Sequence, residues 1–189
     1  MFVQYAILGI FLIVALHPPQ DGTTEAVIKE FKDRVARYWE IHKKAEAAAP
    51  PIDKKKEDPA AILEHEKALS AGIRAARANA AEGEIFTPPV QKALASAINQ
   101  ELSSGRGKQA REMILGEGNP KNPESPAKIN LVVNGKYPSN APLSTVPPSV
   151  LLNLPKLPEG LEYRFVGRHL ILFDSKANLI VDILRNAIR

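Results

Sequence analysis

The side chains able to do chemistry are few in this sequence: four histidines (His17, His42, His65 and His169) and no cysteine. A metal site on a helix needs ligands three or four residues apart, so that they leave the same face. His42 and Glu46 have that spacing, but a pair one turn apart arises readily on any half-buried helix face and is read here as such a pair. His65 stands in Glu64-His65-Glu66, whose members point in different directions, and His169 falls beside an expected hairpin turn, where it is expected in solvent. A hydroxyl nucleophile needs an adjacent base, and neither Gly-x-Ser-x-Gly nor Ser-x-x-Lys occurs in its diagnostic form. Ser103-Ser104-Gly105-Arg106-Gly107-Lys108 resembles a phosphate loop but lacks the full spacing and follows no buried strand, so it reads as a helix–helix connection. Lys54-Lys55-Lys56 is flanked by Asp53, Glu57 and Asp58, which cancel its charge. No catalytic, cofactor or metal residue is assigned, the reading leans away from an enzyme, and nucleic acid is not an expected partner.

The elements around these residues say more. In 189 residues, 25 Lys and Arg oppose 21 Asp and Glu, interspersed along most of the chain, so no long-range field for an anionic polymer is implied. Without cysteine there is no disulfide framework, thiolate zinc site or cysteine nucleophile. Residues 1–20 carry no Lys, Arg, Asp or Glu, and Tyr5 to Leu16 is apolar throughout. With helix faces recurring every ~3.6 residues, such a run has no side to turn to water. Tyr5, Ile7, Leu8, Ile10, Phe11, Leu12, Ile13, Val14 and Leu16 are therefore expected to enter a membrane, as a retained anchor or a signal core. The missing basic residues and missing small-x-small site before Pro18-Pro19 favour the anchor. Either way the rest of the chain is expected outside the cytoplasm, periplasmic or secreted, or held at the inner membrane.

Beyond that segment, a helix is expected from Thr23 or Thr24 to Ala49, with Ile28, Phe31, Val35, Tyr38, His42, Ala45 and Ala49 on one face. Tyr38 and Trp39 diverge by roughly 100° on a helix, so they cannot both face one core, and Trp39 is the candidate partner contact. Asp58-Pro59 starts a second helix that buries Ile62, Leu69, Ile73 and Ala76, with Arg74 and Arg77 near its end, where positive charge suits the helix dipole. Thr87-Pro88-Pro89 starts a third, carrying Val90, Leu94, Ile98 and Leu102, and Lys108 to Leu115 makes a short fourth before Gly116. Residues 116–127 hold three prolines and no apolar period, and read as a linker. Beyond it, Ile129 to Val133 reads as a strand ending at Asn134-Gly135. Leu161 to Val166 and Leu170 to Phe173 flank Gly167-Arg168 as a hairpin, Pro147 to Leu152 gives one or two helical turns, and Leu179 to Leu184 is a strand or short helix. The expected fold is α+β: a hydrophobic segment (1–20), a three- or four-helix bundle (23–115), the linker (116–127) and a small α+β module with a β-hairpin (128–189).

Ile73-Arg74-Ala75-Ala76-Arg77, Gly83-Glu84-Ile85-Phe86-Thr87-Pro88, Leu157 to Arg168 and Ala177-Asn178-Leu179-Ile180-Val181-Asp182 resemble stretches of uncharacterised exported bacterial proteins. That resemblance implies an exported location and no particular chemistry. The function expected is a non-enzymatic extracytoplasmic binding or structural protein, an accessory subunit at a membrane. Its partners would be the membrane, through the first segment, and a protein; no small-molecule ligand is named. An exported enzyme or an envelope ligand sensor is the alternative.

Overall fold

The computed structural model of the chain describes residues 21–53, 58–105, 107–117, 129–138, 141 and 144–189. The membrane segment expected at residues 1–20, Lys54-Lys55-Lys56 and residues 118–127 of the expected linker lie outside them. The described residues form a mixed helix and sheet structure. In chain order they are α1 (Asp21–Ala48), α2 (Pro59–Ala76), α3 (Pro88–Leu102), α4 (Gly107–Glu117), β1 (Ser144–Thr145), α5 (Pro148–Leu151), β2 (Leu161–Val166), β3 (His169–Asp174) and β4 (Leu179–Leu184). The four strands make one antiparallel sheet in the order β1-β2-β3-β4.

Each helix start has a local cause. Asp58 accepts the Ala60 N–H at 2.9 Å, and Pro59 occupies the first helical position, where no N–H is required. Thr87 precedes α3, but its hydroxyl makes no cap bond and is buried without a partner among the described residues. A cap hydroxyl reaches the second or third helical N–H; Pro89 removes the second, and the third, that of Val90, makes no bond to Thr87. The α1 face expected from the threes-and-fours spacing is the buried one, with Phe31, Val35, Tyr38 and His42 inside. All four apolar residues of α3 are buried too. On α2 the expectation needs correcting. Leu69 and Ile73 are buried, but Ile62 and Ala76 are exposed, and Ser70 and Arg77 are buried instead.

The C-terminal half departs from expectation in two places. Helix α4 runs through Gly116 to Glu117, so the first two residues of the expected linker are helical. No strand forms at Ile129 to Val133. There Arg185 donates to the Leu131 carbonyl at 3.0 Å, and just beyond the stretch Arg74 donates to that of Asn134 at 2.9 Å. The segment touches β4 only around the turn, where Asn134 N–H meets the Ile180 carbonyl, Ile180 N–H meets that of Gly135, and Lys136 bridges Leu179. Asn134 takes the left-handed conformation, φ 61°, as the Asn-Gly dipeptide led one to expect. The β2–β3 hairpin turns at Gly167-Arg168 with Gly167 at φ 56°, and Leu179 to Leu184 is a strand.

The sheet buries both faces, which is why β3 and β4 read as near-continuous apolar runs rather than alternating ones. One face, through Leu161, Tyr163, Phe165, Leu170, Leu172 and Val181, joins a core with Phe31, Leu69, Ile73, Phe86, Leu94 and Ile98. Residues on both sides of the 116–127 stretch thus contribute to one apolar cluster. The other face, with Val166, Ile171, Phe173, Ile180 and Ile183, is covered by Leu131 and Tyr137. Phe31 stacks on Phe86 at 6.0 Å and on Tyr163 at 6.4 Å, tying α1 to the α2–α3 loop and to β2.

Two glycines separate packing from helix propensity. A Cβ on Gly107 would lie 2.1 Å from the Glu101 carbonyl oxygen and 2.6 Å from the Leu102 Cα, both backbone, whereas one on Gly116 would meet nothing within 4 Å. Gly107→Ala is expected to destabilise by about 2 kcal/mol and Gly116→Ala to stabilise by about 0.5 kcal/mol, read from paired urea unfolding curves.

Candidate functional site

The polar side chains inside the molecule converge where helices meet sheet. Tyr38 and His42, one turn apart on α1, both reach Oδ2 of Asp174 at the end of β3, at 2.5 and 2.6 Å. Oδ1 of the same carboxylate accepts the N–H groups of Lys176 and Ala177 and so shapes the β3–β4 turn. Asp182, inside the apolar run of β4, accepts the backbone N–H groups of Gly83, Ile85 and Phe86 at 2.8, 2.7 and 2.7 Å. Between these two acids lies Arg77, just past α2. It donates to Asn134 Oδ1, Glu84 and the Val181 carbonyl, and its guanidinium sits 5.1 Å above the Tyr38 ring. Asn134 returns a bond to the Arg77 carbonyl at 2.7 Å. Burial, with Asp174 alongside, drives the Tyr38 phenol far above its ordinary range, so Tyr38 stays a donor at any working pH.

The Asp174–His42 contact has the form of an acid orienting a general base, and its surroundings argue against that use. His42 is fully buried, Trp39 stacks on its ring at 4.2 Å, and its Nε2 has no hydrogen-bond partner among the described residues, so no hydroxyl is placed for it to deprotonate. Glu46 lies 3.6 Å from that nitrogen and instead pairs with Lys176, whose hydrogen bond holds the Glu46 carboxyl below its usual range. The His42–Glu46 pair read from sequence is therefore close in space, with Asp174 on the other ring nitrogen of His42, and among the described residues no three His, Asp or Glu side chains group as a metal site. Trp39, the candidate partner contact, is half-buried over His42 rather than fully outward. His65 takes the Pro50 carbonyl as its partner. His169 was expected in solvent; it is half-buried, and its Nδ1 accepts the Asn186 N–H at 3.1 Å.

The open concavities include one of about 170 Å³ at Arg34, Tyr38, Arg77 and Glu84, one of about 490 Å³ at Asn99, Lys108, Arg111 and Arg189, and two that flank β1. Of these two, one, about 460 Å³, is lined by Thr145, Val146, Leu151, Leu154, Leu157 and Tyr163, among others. The other, about 370 Å³, lies between α4 and β1 and includes Met113, Ile114, Ser144 and Val146. Strand β1 pairs β2 at Phe165 and Arg164, so among the described residues Leu161, Glu162 and Tyr163 have no strand partner on that side, and the larger groove takes the vacated place. Leu151, in the larger groove, is 44% exposed and its neighbour Leu152 87%, and Met113, in the smaller groove, is 51% exposed. Sequence reading missed both the acids and the grooves. A lone acid inside an apolar strand such as Leu179-Ile180-Val181-Asp182-Ile183-Leu184 was a usable signal, because a buried carboxylate must find donors. The grooves had no such signal, because they form between segments far apart in the chain.

No family model, curated protein or solved structure matches the chain.

Asp182→Ala removes an acceptor from four backbone N–H groups, those of Gly83, Ile85, Phe86 and Ile183, and is expected to cost about 4 kcal/mol, while Tyr38→Phe should cost about 1.5 kcal/mol, both measured by chemical denaturation. The His169 pKa is lowered from 6.5, chiefly by burial and then by Arg185, so the folded state favours the neutral ring. Its contribution is complete above pH 6.5 and is lost as pH falls through the folded value. The melting temperature should therefore drop on going from pH 7.5 to 5, and drop less in His169→Gln, whose amide oxygen can still accept from Asn186; equal drops would remove His169 from the account.

Proposed function

We propose that this protein is a non-enzymatic binding or structural protein that works outside the cytoplasm, held at a membrane by its first twenty residues as an accessory subunit. One observation carries the reading. Tyr38, Asp174 and Asp182 are spent inside, joining helix and loop to sheet, while the molecule leaves Leu151, Leu152 and Met113 exposed around two grooves at the sheet edge. Buried polar groups that satisfy one another have little left for a substrate, and an exposed apolar patch beside a groove marks a place of contact. The address rests on the charge-free residues 1–20. Among the described residues no helix is long and apolar enough to cross a membrane. In this reading α1 to α4 act as a helical bundle that presents the small sheet module, and Trp39 is a second contact.

The test uses the full chain in its own host, with a photo-crosslinking side chain at Leu152 and, as a control, at the exposed Glu40. The expected outcome is a carbonate-resistant membrane fraction and a discrete protein adduct from position 152 but not from 40. Leu152→Asp should abolish assembly with that adduct's protein and shift unfolding by no more than about 0.5 kcal/mol. A chain found in the soluble fraction, with equal or no adducts from the two positions, overturns the reading.

A further inference from the structure

We infer that the larger groove beside β1 is a binding site for a single-chain amphiphile bearing one negative charge, such as a medium-length fatty carboxylate. The inference rests on the reading of the chain as a binding protein and adds a ligand class to it. The volume, about 460 Å³, is that of a small-molecule site and too small for a folded partner.

The lining then selects the chemistry. Val146, Leu151, Leu154, Leu157 and Leu161 supply an apolar wall. Two uncharged hydroxyls join the lining, that of Thr145, which is exposed, and that of Tyr163, which donates to the Pro155 carbonyl at 3.0 Å. Burial raises the Tyr163 phenol well above its ordinary range, so it offers no charge either. What enters the deep part is hydrocarbon.

The charged residues among the lining are Lys156, Glu162 and Arg164. Arg164 and Glu162 bind each other, through Nε at 2.7 Å and through Nη2. Lys156 is exposed and makes no ion pair among the described residues. Two cations and one anion leave the groove one positive charge in excess. A wall that takes methylenes, with one uncompensated ammonium at its edge, complements an alkyl chain ending in one anionic group.

The measurement is photolabelling of the full chain by a ten-carbon fatty acid carrying a diazirine, with the labelled residues mapped by mass spectrometry and with octanoate, decanoate and decanol as competitors. Label should fall within residues 145–164. Decanoate should compete about five-fold better than octanoate, because each methylene partly leaves water, and about five-fold better than decanol, because of the charge. Lys156→Glu, at an exposed position, should erase the preference for decanoate over decanol and keep the melting temperature. Leu157→Trp should fill the groove and weaken every competitor.

Label confined to residues 1–20 or to the neighbouring groove at 109–114 overturns the placement, and decanol competing as well as decanoate overturns the charge. Retained label together with loss of the Leu152 adduct would remove the protein partner alone. The adduct without the label would remove this site alone.

Discussion

A carboxylate cannot be left in an apolar interior without donors, and this chain places two there, Asp174 and Asp182. The architecture is arranged around meeting that demand. Asp174 draws Tyr38 and His42 of α1 down onto the end of β3, and Asp182 draws the loop between α2 and α3 onto the middle of β4. Without those donors the sheet would have no reason to hold the helices in one register, because apolar contact alone is non-directional. The apolar cluster supplies the driving force, and the acids select one arrangement among the many it would allow.

Arg77 completes this arrangement by reaching four parts of the molecule at once: the loop acid Glu84, the Asn134 turn, the β4 backbone at Val181 and the ring of Tyr38. A planar guanidinium can do this because its donors leave in a fixed fan, which a lysine lacks. The segment from 129 to 137 lies over the second face of the sheet without becoming a strand. Arg74 and Arg185 donate to its backbone carbonyls at Asn134 and Leu131, and Arg77 to the Asn134 side chain. The cost of this economy is that Arg77, Asp174 and Asp182 are occupied by one another's elements, while His42 Nε2, the Thr87 hydroxyl and the Ser144 hydroxyl stay without a partner among the described residues.

The open sheet edge exists because β1 is only two residues long. Pro147 and Pro148 follow after a single residue, Val146, and proline can neither donate to a ladder nor continue a strand easily, so the chain turns into α5. The result is a vacated place beside β2 with apolar walls and the knuckle of Leu151 and Leu152 next to it. An early strand end and an apolar groove are here one event seen from two sides.

Much of the local structure was legible in the sequence. The α1 and α3 faces, the Asp58-Pro59 start, the Gly167 hairpin and the Asn134 turn each follow from spacing or from a backbone preference that the residue carries with it. The address proposed for the chain likewise rests on twenty residues without a charge. Spacing could not show which apolar run finds a strand partner, and so Ile129 to Val133 looked like β1 and is not. Nor could it show that Arg77, placed to suit a helix dipole, would be swallowed by contacts with residues 57 and more positions away. The fates of Trp39 and His42 were decided in the same way, by a carboxylate 132 positions from His42. The sequence by itself determined which stretches bend, cap and bury a face, because those preferences act within a few residues. The tertiary structure alone decided the partners of the acids and the shape of the grooves, because both depend on segments that meet only when the chain has folded.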